Sequence, residues 1–402
     1  MPNISNKGKS MPQSPIRKLV PYAELAYSKG KTVYHLNIGQ PDIKTPKIAM
    51  DAVKIHSLDI LAYTRSEGSD EYRTKIAKYY GKHDIDITKH DIIVTTGGSE
   101  ALLFAFGSVM DTDDEIIIPE PFYANYNGFS TASGVKIIPV ISKIEDNFAL
   151  PPIEEFEKLI TPKTKAILIC NPGNPTGYLY SKEEIKKLAA IVKKHDLFLI
   201  ADEVYREFCY DAPFTSALSF PEGKNNVVVI DSISKVFSSC GARVGFLVTR
   251  NETVLQTALK YAELRLCPPY LGQILAQACF DHGMEYVQKA KAEYQDRRKV
   301  LYQGLKQIEG LKILMASWDD PQIGDSVNAS MDAGLRWFQW IHEAVLAETA
   351  GSDALDPEEL CARVLKHLGF PKIPLVPIVV TSIGAHLKLL DRQDLLADRF
   401  SL

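Results

Sequence analysis

The sequence contains few cysteines, and none of them lie close together. Six are present among 402 residues, at positions 170, 209, 240, 267, 279 and 361, without a CxxC motif. We therefore expect reduced thiols rather than a disulfide framework, no metal site, and a cytoplasmic protein.

Long apolar runs and blocks of positive charge are also missing. No apolar run approaches the roughly 18 residues that a membrane helix needs, and residues 1–15 lack the apolar centre of a secretory signal. The net charge is −4. These absences predict no membrane span and no nucleic-acid partner.

The most informative stretch is Ser232-Ile-Ser-Lys235. It follows the apolar run 227–230, which predicts a buried strand. A lysine just beyond such a strand is partly desolvated and can act as a nucleophile or a base. The hydroxyls of Ser232 and Ser234, with the guanidinium of Arg243, are the groups that a phosphate dianion needs. The stretch predicts pyridoxal phosphate held as a Schiff base, and an ordinary loop of small residues is the alternative.

Two further apolar runs end in polar motifs. The run 166–170 leads into Asn171-Pro-Gly-Asn174-Pro-Thr-Gly177, which predicts a tight turn where ligands bind in open α/β sheets. The run 197–201 leads into Asp202, whose carboxylate needs a cationic partner if it is buried. A protonated pyridine nitrogen is such a partner. An ordinary turn and a helix N-cap are the alternatives.

Asn174-Pro-Thr-Gly, Asp202-x-x-Tyr205 and Ser232-x-Ser-Lys235 with Arg243 resemble, in order and spacing, the class I and II aminotransferases of the aspartate aminotransferase superfamily. The resemblance covers residues 15–310. It implies the α/β fold of type I pyridoxal-phosphate enzymes, with a large domain built on a mostly parallel seven-stranded sheet between helices and a smaller α/β domain. The implied segments are an N-terminal arm and small-domain segment (1–44), the cofactor-binding large domain (45–283) and an interdomain helix (284–315).

The resemblance also implies a role for individual residues around pyridoxal phosphate. The catalytic set is Lys235, which holds the cofactor and moves the proton, Asp202, which keeps the ring nitrogen protonated, and Tyr205. Asn174 and Tyr205 bond the phenolic oxygen, and Gly39 and Asn174 approach the substrate. The remaining cofactor-binding residues are Gly98, Ser99 and Glu100 at a helix N-terminus, Tyr123 stacked on the ring, Ser232, Ser234 and Arg243 at the phosphate, and Tyr63 from a partner subunit. The role of Tyr63 implies a homodimer. A surface tyrosine and a core aromatic are the alternatives for Tyr63 and Tyr123.

The C-terminal segment 316–402 does not fit the family. It contains three Lys, four Arg and 13 acidic residues, whereas residues 1–315 contain 30 Lys and nine Arg. All three tryptophans lie in it, and the family's strand motif with a substrate-binding arginine is missing. We expect helices at 332–348, 356–367 and 385–397 and a strand at 375–381, in either a divergent small domain or a foreign segment. The composition favours the foreign segment. The carboxylate ligands remaining by elimination are Arg336, Arg363, Arg392 and Arg399, and the family's role is transferred to none of them.

The expected function is transfer of an amino group between an L-amino acid and a 2-oxo acid by a ping-pong mechanism. Two alternatives remain at this point. One is another fold-type I reaction, such as that of a carbon–sulfur lyase, because the cofactor supplies the electron sink in each case. The other is a protein that binds pyridoxal phosphate but is catalytically impaired by its atypical C-terminus.

Overall fold

The computed structural model describes residues 2–14, 17–35, 39–57 and 59–307. The elements expected at 332–348, 356–367, 375–381 and 385–397 lie outside the described residues, as do the four C-terminal arginines. Within the described part, no helix has both the length and the apolar character to cross a membrane.

The apolar runs of the sequence form the centre of one seven-stranded sheet, with strand order β1-β7-β6-β5-β4-β2-β3. The strands are β1 (Ile92–Thr95), β2 (Glu115–Glu120), β3 (Lys136–Ile141), β4 (Thr164–Cys170), β5 (Phe198–Asp202), β6 (Val227–Ser232) and β7 (Gly245–Val248). β7 runs antiparallel to both of its neighbours, and the other pairs are parallel. The predicted seven-stranded, mostly parallel sheet is confirmed.

Helices cover both faces of the sheet. In chain order, the helices of the described residues are α1 (Asn6–Ser10), α2 (Val20–Ser28), α3 (Lys47–Ile55), α4 (Asp70–Gly81), α5 (Gly98–Val109), α6 (Tyr126–Ser133), α7 (Ile153–Leu159), α8 (Lys182–Lys194), α9 (Ile233–Val236), α10 (Glu252–Leu264), α11 (Tyr270–His282) and α12 (Met284–Leu305). Because both faces are covered, the central strands β4, β5 and β6 are apolar along most of their length, and their polar residues lie at the ends. Leu199 and Val229 belong to the core on the side of α4, α8 and α11, whereas Ile200 and Val228 belong to the core on the side of α5 and α10.

Sequence cues explain where several helices begin. At α8, the Ser181 hydroxyl accepts a hydrogen bond from the Glu184 amide, and the Glu184 side chain accepts one from the Ser181 amide. This reciprocal capping box satisfies two amides that have no partner within the helix. Helix α8 is the crossover that two parallel strands require, and it connects β4 to β5.

The structure defines the bounds of three elements after β6. Strand β7 begins only at Gly245, because Cys240–Ala242 forms a 3-10 turn and Arg243 adopts a left-handed conformation with φ of 52°. Lys235 lies in the one-turn helix α9 rather than in an irregular loop. Helix α12 runs from Met284 to Leu305, within the segment 284–315 that the resemblance implies as an interdomain helix.

Candidate active site

The polar motifs meet because their strands are neighbours. β4, β5 and β6 are parallel and adjacent, and Cys170 at the end of β4 lies beside Asp202 at the end of β5. The turn that carries Asn174 follows β4, and Ser232 ends β6. All three motifs therefore lie at the carboxyl edge of the sheet, which is where open α/β sheets bind ligands.

Lys235 lies at the centre of this edge. The Ser232 side chain caps α9 by accepting a hydrogen bond from the Ser234 amide at 3.1 Å, which fixes the turn that presents the lysine. The partly buried Lys235 donates from Nζ to the Gly39 carbonyl at 2.7 Å. The same Nζ lies 5.9 Å from the centre of the Tyr205 ring. The structure thus brings Lys235, Gly39 and Tyr205 together.

Asp202 is a buried carboxyl group that lacks a full complement of partners. Its Oδ2 accepts a hydrogen bond from the Tyr126 hydroxyl at 2.8 Å, and its Oδ1 accepts a long one from the Val204 amide at 3.4 Å. Burial raises the pKa of Asp202 from 3.8 to about 6, against the opposing effects of Tyr126, the Val204 amide and the charge of Lys235. A buried acid in this state is suited to a cationic N–H group.

The hydrogen bond from Tyr126 to Asp202 was not predicted from the sequence. Tyr126 is completely buried on α6 and hydrogen-bonds Asp202 across 76 residues of sequence. The available signal was an aromatic residue three positions after Tyr123, followed by a polar helix. That pattern alone does not specify a partner on β5.

Asn174 and Tyr205 form a direct pair. The Asn174 side-chain amide donates to the Tyr205 hydroxyl at 3.3 Å. The Asn171 side chain holds the base of the turn: its Oδ1 accepts a hydrogen bond from the Tyr180 amide, and its Nδ2 donates one to the Thr215 carbonyl. Burial raises the pKa of Tyr205, so its hydroxyl stays protonated and remains able to donate. The pair can hydrogen-bond an oxygen beside Lys235.

The turn before α5 offers backbone amides to an anion. Gly97 has φ of 77°, and the first amides of α5, from Gly98 onward, have no acceptors within the helix. The Glu100 carboxylate accepts from the Thr96 amide at 2.7 Å and lies 3.3 Å from Arg265 Nε. Glu100 therefore closes the turn with its side chain, and only its backbone amide is available to an anion.

A missing side chain in β7 creates the space for this turn. A Cβ on Gly245 would lie 2.5 Å from the carbonyl carbon of Gly97 and 2.6 Å from the amide nitrogen of Gly98. Such distances are far below van der Waals contact. The turn after β1 can therefore sit against β7 and beside Ser232 only because position 245 is glycine.

The predicted phosphate ligands surround the same turn. Ser232 and Ser234 are buried, and their hydroxyl oxygens lie 2.8 Å apart. Arg243 donates from Nη1 to the Cys240 carbonyl at 2.9 Å and from Nη2 to the Thr96 carbonyl at 3.3 Å. Hydroxyls, a guanidinium and helix amides are the donor set that a phosphate monoester requires. These residues fit the phosphate of pyridoxal phosphate.

Two predicted aromatic ligands have different surroundings. Tyr123 is half-buried and packs edge-on against Tyr126, with ring centres 5.4 Å apart. Burial and the charge of Asp202 raise the pKa of Tyr123. Tyr63, by contrast, is 77 % exposed in the single chain. Within the described residues, the Tyr63 side chain forms no hydrogen bond with the other candidates.

Comparison with known proteins agrees with this geometry. The family model for aminotransferase class I and II matches residues 31–317. A putative aminotransferase YugH of Bacillus subtilis is 36% identical over 69% of this chain and 72% of its own length. An aspartate aminotransferase of Sulfolobus acidocaldarius is 33% identical over 73% of this chain and 74% of its own length.

Solved structures give the same result. The crystal structure of aspartate aminotransferase from Thermotoga maritima has a TM-score of 0.72, with 31% identity over 77% of this chain and 82% of that one. Alanine aminotransferase from Pyrococcus furiosus has a TM-score of 0.70, with 31% identity over 77% of this chain and 80% of that one. The chain belongs to aminotransferase class I and II and is a pyridoxal-phosphate-dependent aminotransferase of fold type I.

Proposed function

We propose that Lys235 is the catalytic acid and base of this aminotransferase. The observation that carries the proposal is the position of Nζ, at the carboxyl edge of β4–β6, bonded to Gly39 and facing the Tyr205 ring. When bound, pyridoxal phosphate supplies the electron sink for the carbanion at the substrate α-carbon. An amine at this point can remove the α-proton and return it one atom away, as general acid–base catalysis requires.

The other site residues hold and tune the cofactor in this proposal. Asp202 keeps a proton on the ring nitrogen, because a buried carboxylate with one strong hydrogen bond is stabilised by a cationic N–H group. Asn174 and Tyr205 hydrogen-bond the phenolic oxygen, and Tyr123 stacks on the ring. The phosphate is held by the amides of Gly98, Ser99 and Glu100, the hydroxyls of Ser232 and Ser234, and Arg243.

The reaction moves an amino group between an L-amino acid and a 2-oxo acid in two half-reactions of a ping-pong scheme. In our proposal Gly39 and Asn174 line the substrate side of Lys235. The aspartate aminotransferases among the relatives make dicarboxylic amino acids the first donors to test. We assign the enzyme to amino acid metabolism and biosynthesis in the cytoplasm.

The active form in this proposal is a homodimer, in which Tyr63 reaches the phosphate bound by the partner subunit. Support comes from the exposed apolar side chains near Tyr63: Ile55 is 81 %, Ile60 78 % and Leu61 62 % exposed. Apolar side chains concentrated in one exposed segment mark interaction surfaces. The domains are proposed at 1–44, 45–283 and 284–315, followed by the atypical segment 316–402.

The test follows the visible absorbance of the holoenzyme mixed with glutamate or aspartate in the absence of a 2-oxo acid. We expect the cofactor band to fall as one equivalent of 2-oxo acid is released. Lys235→Ala should lose this response and slow turnover by about 10²–10⁴-fold, because it removes the acid–base group. Lys289→Ala is the matched control, since Lys289 is an exposed lysine paired with Glu285 on α12.

Three results would contradict the proposal. Full turnover by Lys235→Ala would show that Lys235 is not the catalytic acid and base. Pyruvate and ammonia formed without an acceptor would indicate a lyase. A cofactor band that responds to no amino acid would indicate a protein that binds the cofactor without catalysing transfer.

A further inference from the structure

A buried ionic cluster lies on the side of the sheet opposite the cofactor residues. Its cation is Arg206, whose side chain is only 2% exposed. Arg206 Nη1 lies 3.6 Å from Asp231 Oδ2 and 3.9 Å from Glu203 Oε2. One buried guanidinium therefore neutralises two buried carboxylates, which come from the ends of two adjacent strands.

Aromatic rings enclose this guanidinium. Its central carbon lies 4.2 Å from the centre of the Tyr80 ring, 5.1 Å from Phe214 and 5.3 Å from Tyr79. Within the described residues, none of its three nitrogens donates a hydrogen bond. Charge and contact with aromatic faces hold Arg206 in place, and both strengthen where water is excluded.

Each carboxylate is also fixed to the backbone. Asp231 accepts from the Ser232 amide at 2.7 Å and from the Tyr80 hydroxyl at 3.1 Å. Glu203 accepts from the Ser216 hydroxyl at 2.9 Å and from the Ala217 amide at 2.8 Å. A displacement of either carboxylate would therefore move the backbone at the end of β5 or β6.

The same strand ends carry the cofactor residues on their other face. Asp202 precedes Glu203, and Ser232 follows Asp231, so side-chain alternation points each pair in opposite directions. Tyr80 on α4 belongs to the core behind the sheet, whereas Tyr126, the partner of Asp202, belongs to the core on the other side. The cluster supports the site from behind without lining it.

We propose that Arg206 is a positioning residue for the cofactor site, which aligns the ends of β5 and β6 by pairing with Glu203 and Asp231 together. This inference rests on the proposed function, because it concerns the placement of Asp202 and Ser232 toward pyridoxal phosphate. Breaking a buried ion pair by removing one partner leaves an uncompensated charge. Removal of the Arg206 side chain leaves two buried carboxylates, Glu203 and Asp231, without their cation.

The pH dependence follows from the charges in the cluster. Burial raises the pKa of Glu203 to about 7 and that of Asp231 to about 6, while the charge of Arg206 opposes both shifts. The remaining groups that face the cluster are Tyr79, Tyr80, Cys209, and Glu207 with its partner His83. Without Arg206 both carboxyl pKa values rise further. In a variant that lacks Arg206, the two carboxyl groups are protonated at acidic pH and need no cation. At alkaline pH they ionise, and two buried negative charges without a cation destabilise the ends of β5 and β6.

The experiment measures the dissociation constant of pyridoxal phosphate from full-length protein by absorbance titration of the apoenzyme, between about pH 6 and pH 9. Arg206→Met removes the charge and keeps most of the volume. Arg206→Lys keeps the charge. Arg73→Met is the matched control, because Arg73 is a buried arginine paired with Asp70 at 2.5 Å and with Glu67 at 3.4 Å, and none of its hydrogen bonds in the described part of the chain goes to a candidate cofactor residue.

We expect Arg206→Met to raise the dissociation constant by about tenfold or more at alkaline pH and by a smaller factor at acidic pH. Arg206→Lys keeps the charge but loses the planar group that contacts the aromatic rings, so it should lose less affinity than Arg206→Met, by a factor that does not change with pH. Arg73→Met should lower the resistance to urea without changing cofactor affinity. A pH-independent ratio between Arg206→Met and wild type, or an equal loss of affinity in Arg73→Met, would overturn the inference.

A second variant covers the case in which Arg206→Met does not fold. Tyr80→Phe removes only the hydroxyl that donates to Asp231 and should raise the dissociation constant by about threefold. Unchanged affinity in Tyr80→Phe would then refute the positioning role. If wild-type protein binds no pyridoxal phosphate, the proposed function fails first and the inference fails with it. If wild-type protein binds pyridoxal phosphate normally and the variants bind it equally well, the inference is rejected and the proposed function stands.

Discussion

Replacing Asp202 with asparagine should stabilise the apoenzyme while it disables the cofactor site. The carboxyl group is buried, and burial raises its pKa from 3.8 to about 6. Above both pKa values the Asp202 carboxylate is ionised in the folded and the unfolded state, and its charge costs more free energy in the buried site than in water. Asparagine has nearly the same shape, carries no charge and can still accept a hydrogen bond from Tyr126.

The size and sign of the effect follow from the two pKa values. The unfolded state loses its proton near pH 3.8 and the folded state near pH 6, so the folded state binds more protons between these values and stability falls as pH rises through this window. A shift from 3.8 to about 6 corresponds to a cost of about 3 kcal/mol at neutral pH. At about pH 4.5 only about 1 kcal/mol of this cost remains.

The measurement is urea unfolding of the wild-type and Asp202→Asn apoenzymes at one protein concentration, because unfolding of the proposed homodimer would depend on concentration. The variant should gain up to about 3 kcal/mol at about pH 7.5, and this gain should shrink by about 2 kcal/mol at about pH 4.5. Added pyridoxal phosphate should stabilise wild type more than the variant. An Asp202→Asn apoenzyme that is less stable at both pH values, or a gain that does not change with pH, would refute the reasoning.

Three further predictions concern neighbouring residues. Tyr126→Phe removes the hydroxyl that donates to Asp202 Oδ2 and should raise the pKa of Asp202 further, because the hydrogen bond from Tyr126 lowers it. Urea unfolding should then show the stability of the apoenzyme falling up to a higher pH than in wild type, and an unchanged profile would contradict this role. Gly245→Ala places a methyl group against the Gly97 and Gly98 backbone and should cost about 1–3 kcal/mol in urea unfolding and weaken cofactor binding, whereas Gly241→Ala, with no atom near the added carbon, is the control. Ser181→Ala should lower the unfolding free energy by about 1 kcal/mol through loss of the α8 cap, without changing cofactor affinity.

The sequence was most informative where a buried strand ends in a polar motif. The apolar runs before Asn174, Asp202 and Ser232 predicted β4, β5 and β6, because strands covered on both faces are apolar at successive positions. Their common direction then brings the motifs to one edge. β3 is an edge strand that is largely solvent-accessible and interrupted by Pro139, so it lacked this signature.

Contacts between distant elements were not accessible to the same reasoning. The bond from Tyr126 to Asp202 depends on how α6 packs on the sheet, and no local pattern encodes that packing. Arg206 stands in a stretch with Glu203 and Glu207 that looks like an ordinary charged surface. Its burial follows only from the pairing of β5 with β6 and the docking of α4 behind them.

The placement of β7 between β1 and β6 has a consequence for the newly synthesised chain. β1 lies at the end of the sheet and pairs with β7, which begins about 150 residues later in the sequence. At translation rates of about 5–20 residues per second, β1 waits about 10–30 seconds before its partner leaves the ribosome. During that time the apolar Ile92–Thr95 segment lacks its β7 partner, and an unpaired apolar edge can pair with other chains. A chain that stops before Gly245 would keep this edge permanently and could not support the Gly97–Gly98 turn.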